Sequence, residues 1–474
     1  MVSYACMTSW VDNEIGESKF RDGRLGKRFL KLVKNLSERI GDSVPVACQD
    51  WASIKAAYRF FSNPNLSESE ILSGHFNATK MRCEEIDGPI LVLHDTTEIP
   101  YNRKNVAAIG AHRVYENKQK RYGWKENHKC GILMHPSLAI TPEGLPLGLA
   151  NNIFWSRKKF KNSREVHRKK NTTRIPITDK ESYRWIQGLE ASNRLLGDPK
   201  RIVHVADREG DIYEFFQAAV SQNSHFLVRS KTNRRTDSEE IQKVHDVMES
   251  ADVKGSYEIK YRDKNGEDVD ATLEIKFERM AIRPSTGLKR NSFPDTEVTV
   301  IYAKEIGKTR GSRDPIDWRL ITDLEVKTLE DSIEKIQCYA LRWRIERYFF
   351  ILKSGCKIEE LKLRTAGALY KLISIYCIIA WRIFWMTMIN RESESLSAKV
   401  ALTPTEIKTL DQLKPSKTKA KPVLSDYVIK IAKLGGYIGR NSDPPPGNKV
   451  IWKGMERLAD ILIGVEVGMK LVGN

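Results

Sequence analysis

A chain of 474 residues with 41% hydrophobic content is long enough for about three domains with real cores. Its 79 Lys and Arg against 61 Asp and Glu leave a net charge of +18, which favours a polyanionic partner, either nucleic acid or an anionic membrane surface. The seven cysteines are scattered and form no C-x2-C pair, so a zinc knuckle and a disulfide framework both lack support and a reducing cytoplasm fits best.

At the amino terminus, MVSYACMTSW has no basic start followed by an apolar core, so no secretory signal is expected. Leu25, Phe29, Leu32, Leu36 and Ile40 then recur at helical spacing among Lys19, Arg21, Arg24, Lys27, Arg28, Lys31 and Lys34. After the break at Pro45, residues 51–61 read as a second helix, closed by Asn63 and Pro64. This basic helical module suits docking on DNA through phosphate contacts, and equally suits a solvated amphipathic helix pair.

From Pro89 onward strands and helices alternate. Strands are expected at 90–94, 131–140, 145–154, 202–206 and 226–229, and helices at 180–195, 212–221 and 329–355. Two of the apolar runs end directly in Asp95 and Asp207, and α/β sheets place ligand sites just past the carboxyl ends of their strands. Either Asp alone is better read as a helix cap or turn residue. Further strand-like runs near 257–261, 272–277 and 298–303 precede the late helix.

Within that helix Tyr339, Arg342, Glu346 and Lys353 fall in an arc of about 60°, beside an apolar stripe of Leu341, Ile345, Tyr348 and Leu352. A carboxylate among a phenol, a guanidinium and an ammonium suits a shared divalent ion and phosphate oxygens, although mixed charge on a helix is usually solvated. Two strand-end Asp residues and a helix Glu together suit two Mg²⁺ ions about 4 Å apart, an arrangement for in-line phosphoryl displacement. The run 372–389 is membrane-like in composition but broken by Arg382 and rich in Trp and Tyr, and reads as a buried core helix. Helices are expected at 376–389, 404–413, 424–434 and 452–465, the third ended by Gly435 and Gly436, with a linker at 414–421.

The trio Asp95, Asp207 and Glu346, the DREGDIY run starting at Asp207, and the Y-x2-R-x3-E-x6-K pattern of Tyr339, Arg342, Glu346 and Lys353 resemble the DDE transposases. More narrowly, the chain resembles the transposase of transposon five and its insertion-sequence relatives. AAYRFFSNPN, HDTTE, KESYRW, FLVRSK and AKLGGY extend the similarity over nearly the whole chain. The resemblance implies an α/β fold: a ribonuclease H-like mixed-sheet core with an inserted β subdomain, flanked by helical terminal domains. It implies a DNA-end-binding domain at 1–70, a catalytic domain at 71–375 with the β insertion at about 235–315, and a dimerisation domain at 376–474.

The same resemblance implies cut-and-paste transposition: nicking of the transposon ends, hairpin formation and opening, and joining of 3′-hydroxyls to target DNA. It makes Asp95, Asp207 and Glu346 the ligands of two Mg²⁺ ions, with Mn²⁺ able to substitute. Tyr339, Arg342 and Lys353 would hold the end's phosphates, with Arg229 and Lys231 as weaker candidates, and Trp318 would hold a flipped base. Double-stranded DNA, a second copy of the chain and a bacterial, nucleoid-associated location follow, with no membrane. One departure is the stretch 157–174, where nine Lys or Arg residues stand against Glu165 alone; it suits extra phosphate contacts and a solvated loop equally. Two other readings share much of this pattern, a ribonuclease H-like nuclease and a catalytically silent regulator that binds ends.

Overall fold

The computed structural model describes residues 10–115, 127–157, 175–237, 243–262, 268–284, 292–307, 314–392, 397–413, 423–440 and 442–472. The basic stretch beyond Arg157 and the tract 414–421 lie outside those residues.

Five helices come first: α1 (Trp10–Ile15), α2 (Gly23–Glu38), α3 (Val44–Cys48), α4 (Trp51–Phe61) and α5 (Glu68–Glu84). The expected stripe forms α2, which buries Phe29, Leu32 and Leu36 and leaves Lys27, Lys31 and Lys34 exposed. Asp22 caps its amino end by accepting from the Arg24 backbone N–H. Asp50 caps α4 in the same way through Ser53, and Phe60 of α4 stacks on Phe29 with ring centroids 6.1 Å apart. Helix α5 begins with a capping box of Ser67 and Glu70.

The sheet then builds from β1 (Ile90–His94), β2 (Thr97–Tyr101), β3 (Ala111–Tyr115), β4 (Asn127–Ile140) and β5 (Pro146–Trp155). Helix α6 (Tyr183–Leu196) leads to β6 (Ile202–Ala206), and α7 (Tyr213–Ser221) leads to β7 (His225–Arg229). Strand β1 runs parallel to β6, β6 parallel to β7, and β4 antiparallel to β1 and β5. The resulting order β5-β4-β1-β6-β7, with crossover helices between the parallel strands, is a ribonuclease H-like core. Every residue of β1 and of β6 is buried, which is why both read as unbroken apolar runs.

After α8 (Val244–Ser250), strands β8 (Gly255–Arg262), β9 (Asp268–Ile282) and β10 (Thr296–Ile306) form an antiparallel run. Strand β11 (Asp317–Thr322) pairs with both β10 and β7. Among the described residues these four strands therefore extend the core sheet to eleven strands rather than form a sheet of their own.

One expectation needs correction: the late helix is not continuous. It consists of α9 (Leu329–Ala340), α10 (Trp343–Phe350) and a π-helical turn at Ile351–Gly355. Arg342, Arg344 and Ile345 each donate their N–H three residues back, so the chain tightens by a 3₁₀ step between α9 and α10. The polar line is thereby split, and its first two members, Tyr339 and Arg342, face inward and are buried.

The carboxyl-terminal part is helical: α11 (Ala366–Glu392), α12 (Pro404–Leu413), α13 (Leu424–Leu434) and α14 (Asn448–Val472). Helix α11 is the apolar run, and 94% of its most apolar window is buried inside the protein. Its break residue Arg382 is itself buried, donating to the Ala401 carbonyl at 2.9 Å, facing Glu406 at 3.8 Å and lying over the Trp10 ring. Helix α13 ends at Gly435 as expected. Six cysteines are described, all free and buried.

Candidate active site

The parallel pairing of β1 with β6 aligns His94 with Ala206, so the next residue on each strand, Asp95 and Asp207, emerges at the same edge of the sheet. Each carboxylate is first tied to its own loop. Asp95 accepts from the Thr96 N–H at 2.7 Å, and Asp207 accepts from the Glu209 N–H at 2.8 Å while capping the 3₁₀ turn Arg208–Gly210.

The third carboxylate arrives on α10. Arg342, at the break before it, donates to Asp95 at 3.4 Å and to Glu346 at 3.1 Å, so one guanidinium bridges the strand carboxylate and the helix carboxylate. Burial pushes the Asp95 carboxyl up to about 7, with Asp207 and Glu346 adding to the rise and Arg342 opposing it. Burial also raises Glu346, again against Arg342, and Asp207 adds to the rise. The site is thus a cluster of mutually repelling carboxylates partly neutralised by Arg342, with Arg184 also acting on Asp207. Among the described residues no three His, Cys, Asp or Glu side chains stand close enough to enclose a metal ion as they now lie.

The other expected residues are distributed around this cluster. Tyr339 is buried with its phenol between Arg342 and Arg229, and packs edge-on against Trp318 at 5.1 Å between centroids. Trp318 is half-buried on β11, and Arg229 donates to the Asp317 carbonyl at 2.8 Å. Lys231 is exposed, with its backbone N–H donating to Asp211 of the DREGDIY run. Lys353, on the π turn, pairs with Glu359 at 3.4 Å, so the helix signature is not gathered around one point.

A layer of histidines beneath the carboxylates escaped the sequence reading. His94 contacts Ser137 at 3.1 Å and His204 at 2.9 Å, and His204 continues to Asn193 at 2.9 Å. His135 meets Thr96 at 2.9 Å. Burial holds all three imidazoles neutral, with His94 lowered to about 3. The only signal was a polar residue inside each apolar strand run.

Away from this cluster, Trp51, Lys55, Tyr58 and Arg59 line an open groove on α4, where Trp51 is 76% exposed. Aromatic faces beside cations are the surface chemistry of nucleic-acid contact. Residues 7–66 match the protein-family model described as Transposase DNA-binding, and residues 378–470 match the model described as Transposase Tn5 dimerisation domain. The two matches flank the carboxylate cluster without covering it.

Proposed function

The chain belongs with the Tn5-like transposases by its two terminal modules, and on that premise we propose that it is a cut-and-paste DNA transposase whose chemistry is carried by Asp95, Asp207 and Glu346. The observation that supports this most is that Arg342 links the strand-end carboxylate of Asp95 to the helix carboxylate of Glu346, while Asp207 emerges from the neighbouring parallel strand at the same sheet edge. We divide the chain into an end-binding module at 1–70, a catalytic core at 71–375 with its β insertion at about 235–315, and a dimerisation module at 376–474.

The donor set fits a hard divalent cation. All three groups offer oxygen, and Asp95 holds its proton up to about 7 because burial, and after it the neighbouring carboxylates, oppose its charge. Asp95, Asp207 and Glu346 would hold two Mg²⁺ ions, with Mn²⁺ able to substitute; bound there, they supply Lewis-acid stabilisation of attacking and leaving oxygens. Asp95 and Glu346 must release Arg342 to do so, which frees its guanidinium for a phosphate of the DNA end.

Tyr339, Lys353, Arg229 and Lys231 orient and neutralise further phosphates. Trp318 stacks on a base turned out beside the cut, worth about 1–3 kcal/mol. Water first nicks a transposon end, the new 3′-hydroxyl attacks the opposite strand to close a hairpin, and a second water opens it. The same 3′-hydroxyl then attacks target DNA. All are in-line displacements at phosphorus, so one carboxylate cluster serves each in turn. Residues Trp51, Lys55, Tyr58 and Arg59 hold the end duplex meanwhile, and the second protomer docks through the carboxyl-terminal helices.

The test is incubation of purified protein with Mg²⁺ and linear DNA bearing the element's own ends, followed on a denaturing gel beside Glu346→Ala. Nicked and hairpin-ended products, absent from the variant although it retards the DNA equally, are the expected outcome. Retarded but uncut DNA with both proteins would replace this reading with that of a regulator.

A further inference from the structure

Sheet hydrogen bonds fix β1 and β6 only as far as His94 and Ala206; the two carboxylates lie one residue beyond, each in its own loop. Arg342 ties Asp95 to Glu346, and among the described hydrogen bonds none joins Asp95 directly to Asp207. A different residue spans that gap. Arg184, on α6, donates through Nε to the Thr96 hydroxyl at 2.9 Å and through Nη2 to Glu209 at 2.8 Å. Thr96 and Glu209 are the residues whose backbone N–H groups hold the Asp95 and Asp207 carboxylates.

We propose that Arg184 is a positioning residue that sets the separation of Asp95 and Asp207, by gripping with one rigid guanidinium the residue that holds each of them. This rests on the carboxylate reading of the preceding section. The guanidinium is itself immobilised. Its Nη1 donates to the Glu181 carbonyl at 2.9 Å, its central carbon lies 5.3 Å from the Trp155 ring centroid and 5.7 Å from that of Trp185, and its side chain is only 12% exposed. Thr96 is held from its other side by His135 of β4. A planar fork with fixed donor directions can join two loops at a set distance, whereas a lysine ammonium on a flexible stem cannot. Two charged residues of the KESYRW motif, Glu181 and Arg184, thereby divide their roles. Glu181 forms two 2.8 Å bonds with Arg157, at the start of the basic stretch, and Arg184 governs the carboxylates.

The test uses the full chain and Mg²⁺ alone as probe, by calorimetry, with thermal denaturation and end cleavage run alongside. Arg184→Lys should melt with the parent yet bind Mg²⁺ about ten-fold more weakly, the lower bound for losing a partner that orients metal ligands. Arg184→Gln and Thr96→Val should weaken it similarly, and the double variant Arg184→Gln/Thr96→Val should be no weaker than the worse single, because both cut one connection. Unchanged Mg²⁺ affinity in Arg184→Lys, additive losses in the double variant, or losses that merely track melting temperature would each overturn the proposal. If the Mg²⁺ series behaves as expected while the parent fails to cut ends, the positioning role stands and the transposition reading falls.

Discussion

Arg342 donates to two of the three candidate carboxylates. Removing it leaves Asp95 and the half-exposed Glu346 with no bridging cation, and since Arg342 lowers Asp95, its loss must move that carboxyl further up from about 7. In Arg342→Gln the acid limb of the cleavage-rate profile, read at saturating DNA, should therefore shift to higher pH; an unshifted limb would dissociate Arg342 from Asp95. The histidine layer predicts a pH dependence of stability. An unfolded imidazole takes its proton near 6.5, but His94, His135 and His204 resist protonation in the fold, so stability is complete above about 6.5 and falls below it. Each contributes about 1.4 kcal/mol per pH unit. Asp95, gaining stability as pH falls through about 7, and Glu346, also raised by burial, act oppositely, but they are two groups against three. Denaturant midpoints at about pH 7.5 and about pH 5.5 should show a net loss on acidification.

Among the elements, β1, β6, α4, α12 and α13 were legible to the residue, because each is a buried run or stripe bounded by a cap, a proline or a glycine. Others were not. Helix α5 spreads buried residues such as Ile71, His75, Thr79 and Cys83 among polar ones, since it packs against both α1 and β5 and shows no single apolar stripe. Strand β2 contains Pro100 and is not among the expected strands, and pairing with β4 makes it one. The break between α9 and α10 leaves no glycine or proline in the sequence; it coincides with the pull of Asp95 on Arg342. At the other end of the chain, α13 and α14 cross where a methyl on Gly435 would overlap the Val450 carbonyl and one on Gly454 would overlap that of Ile431. Gly454→Ala should cost about 1–3 kcal/mol through forced separation of the helices, read as a lowered melting temperature. Retained melting would mean that the crossing yields.

For the whole molecule, a net charge of +18 predicts that association with DNA is strongly salt-dependent. If about six or more phosphates are contacted, affinity for the ends should fall about 10³-fold or more between about 50 and 200 mM salt, measured by fluorescence anisotropy. A shallow slope would imply few phosphate contacts. The sequence by itself determined the strand-end carboxylates, the succession of core strands and helices along the chain and the helical character of both terminal modules, because burial periodicity and caps are local properties of the chain. Only the tertiary structure decided that Arg342 bridges Asp95 to Glu346, that Arg184 joins the loops behind Asp95 and Asp207, and that histidines underlie them. Those pairings link residues far apart in the chain: 88 positions separate Thr96 from Arg184, and 247 separate Asp95 from Arg342. No local pattern encodes which distant partner a buried charge will meet, because that choice is made when the strands and helices pack.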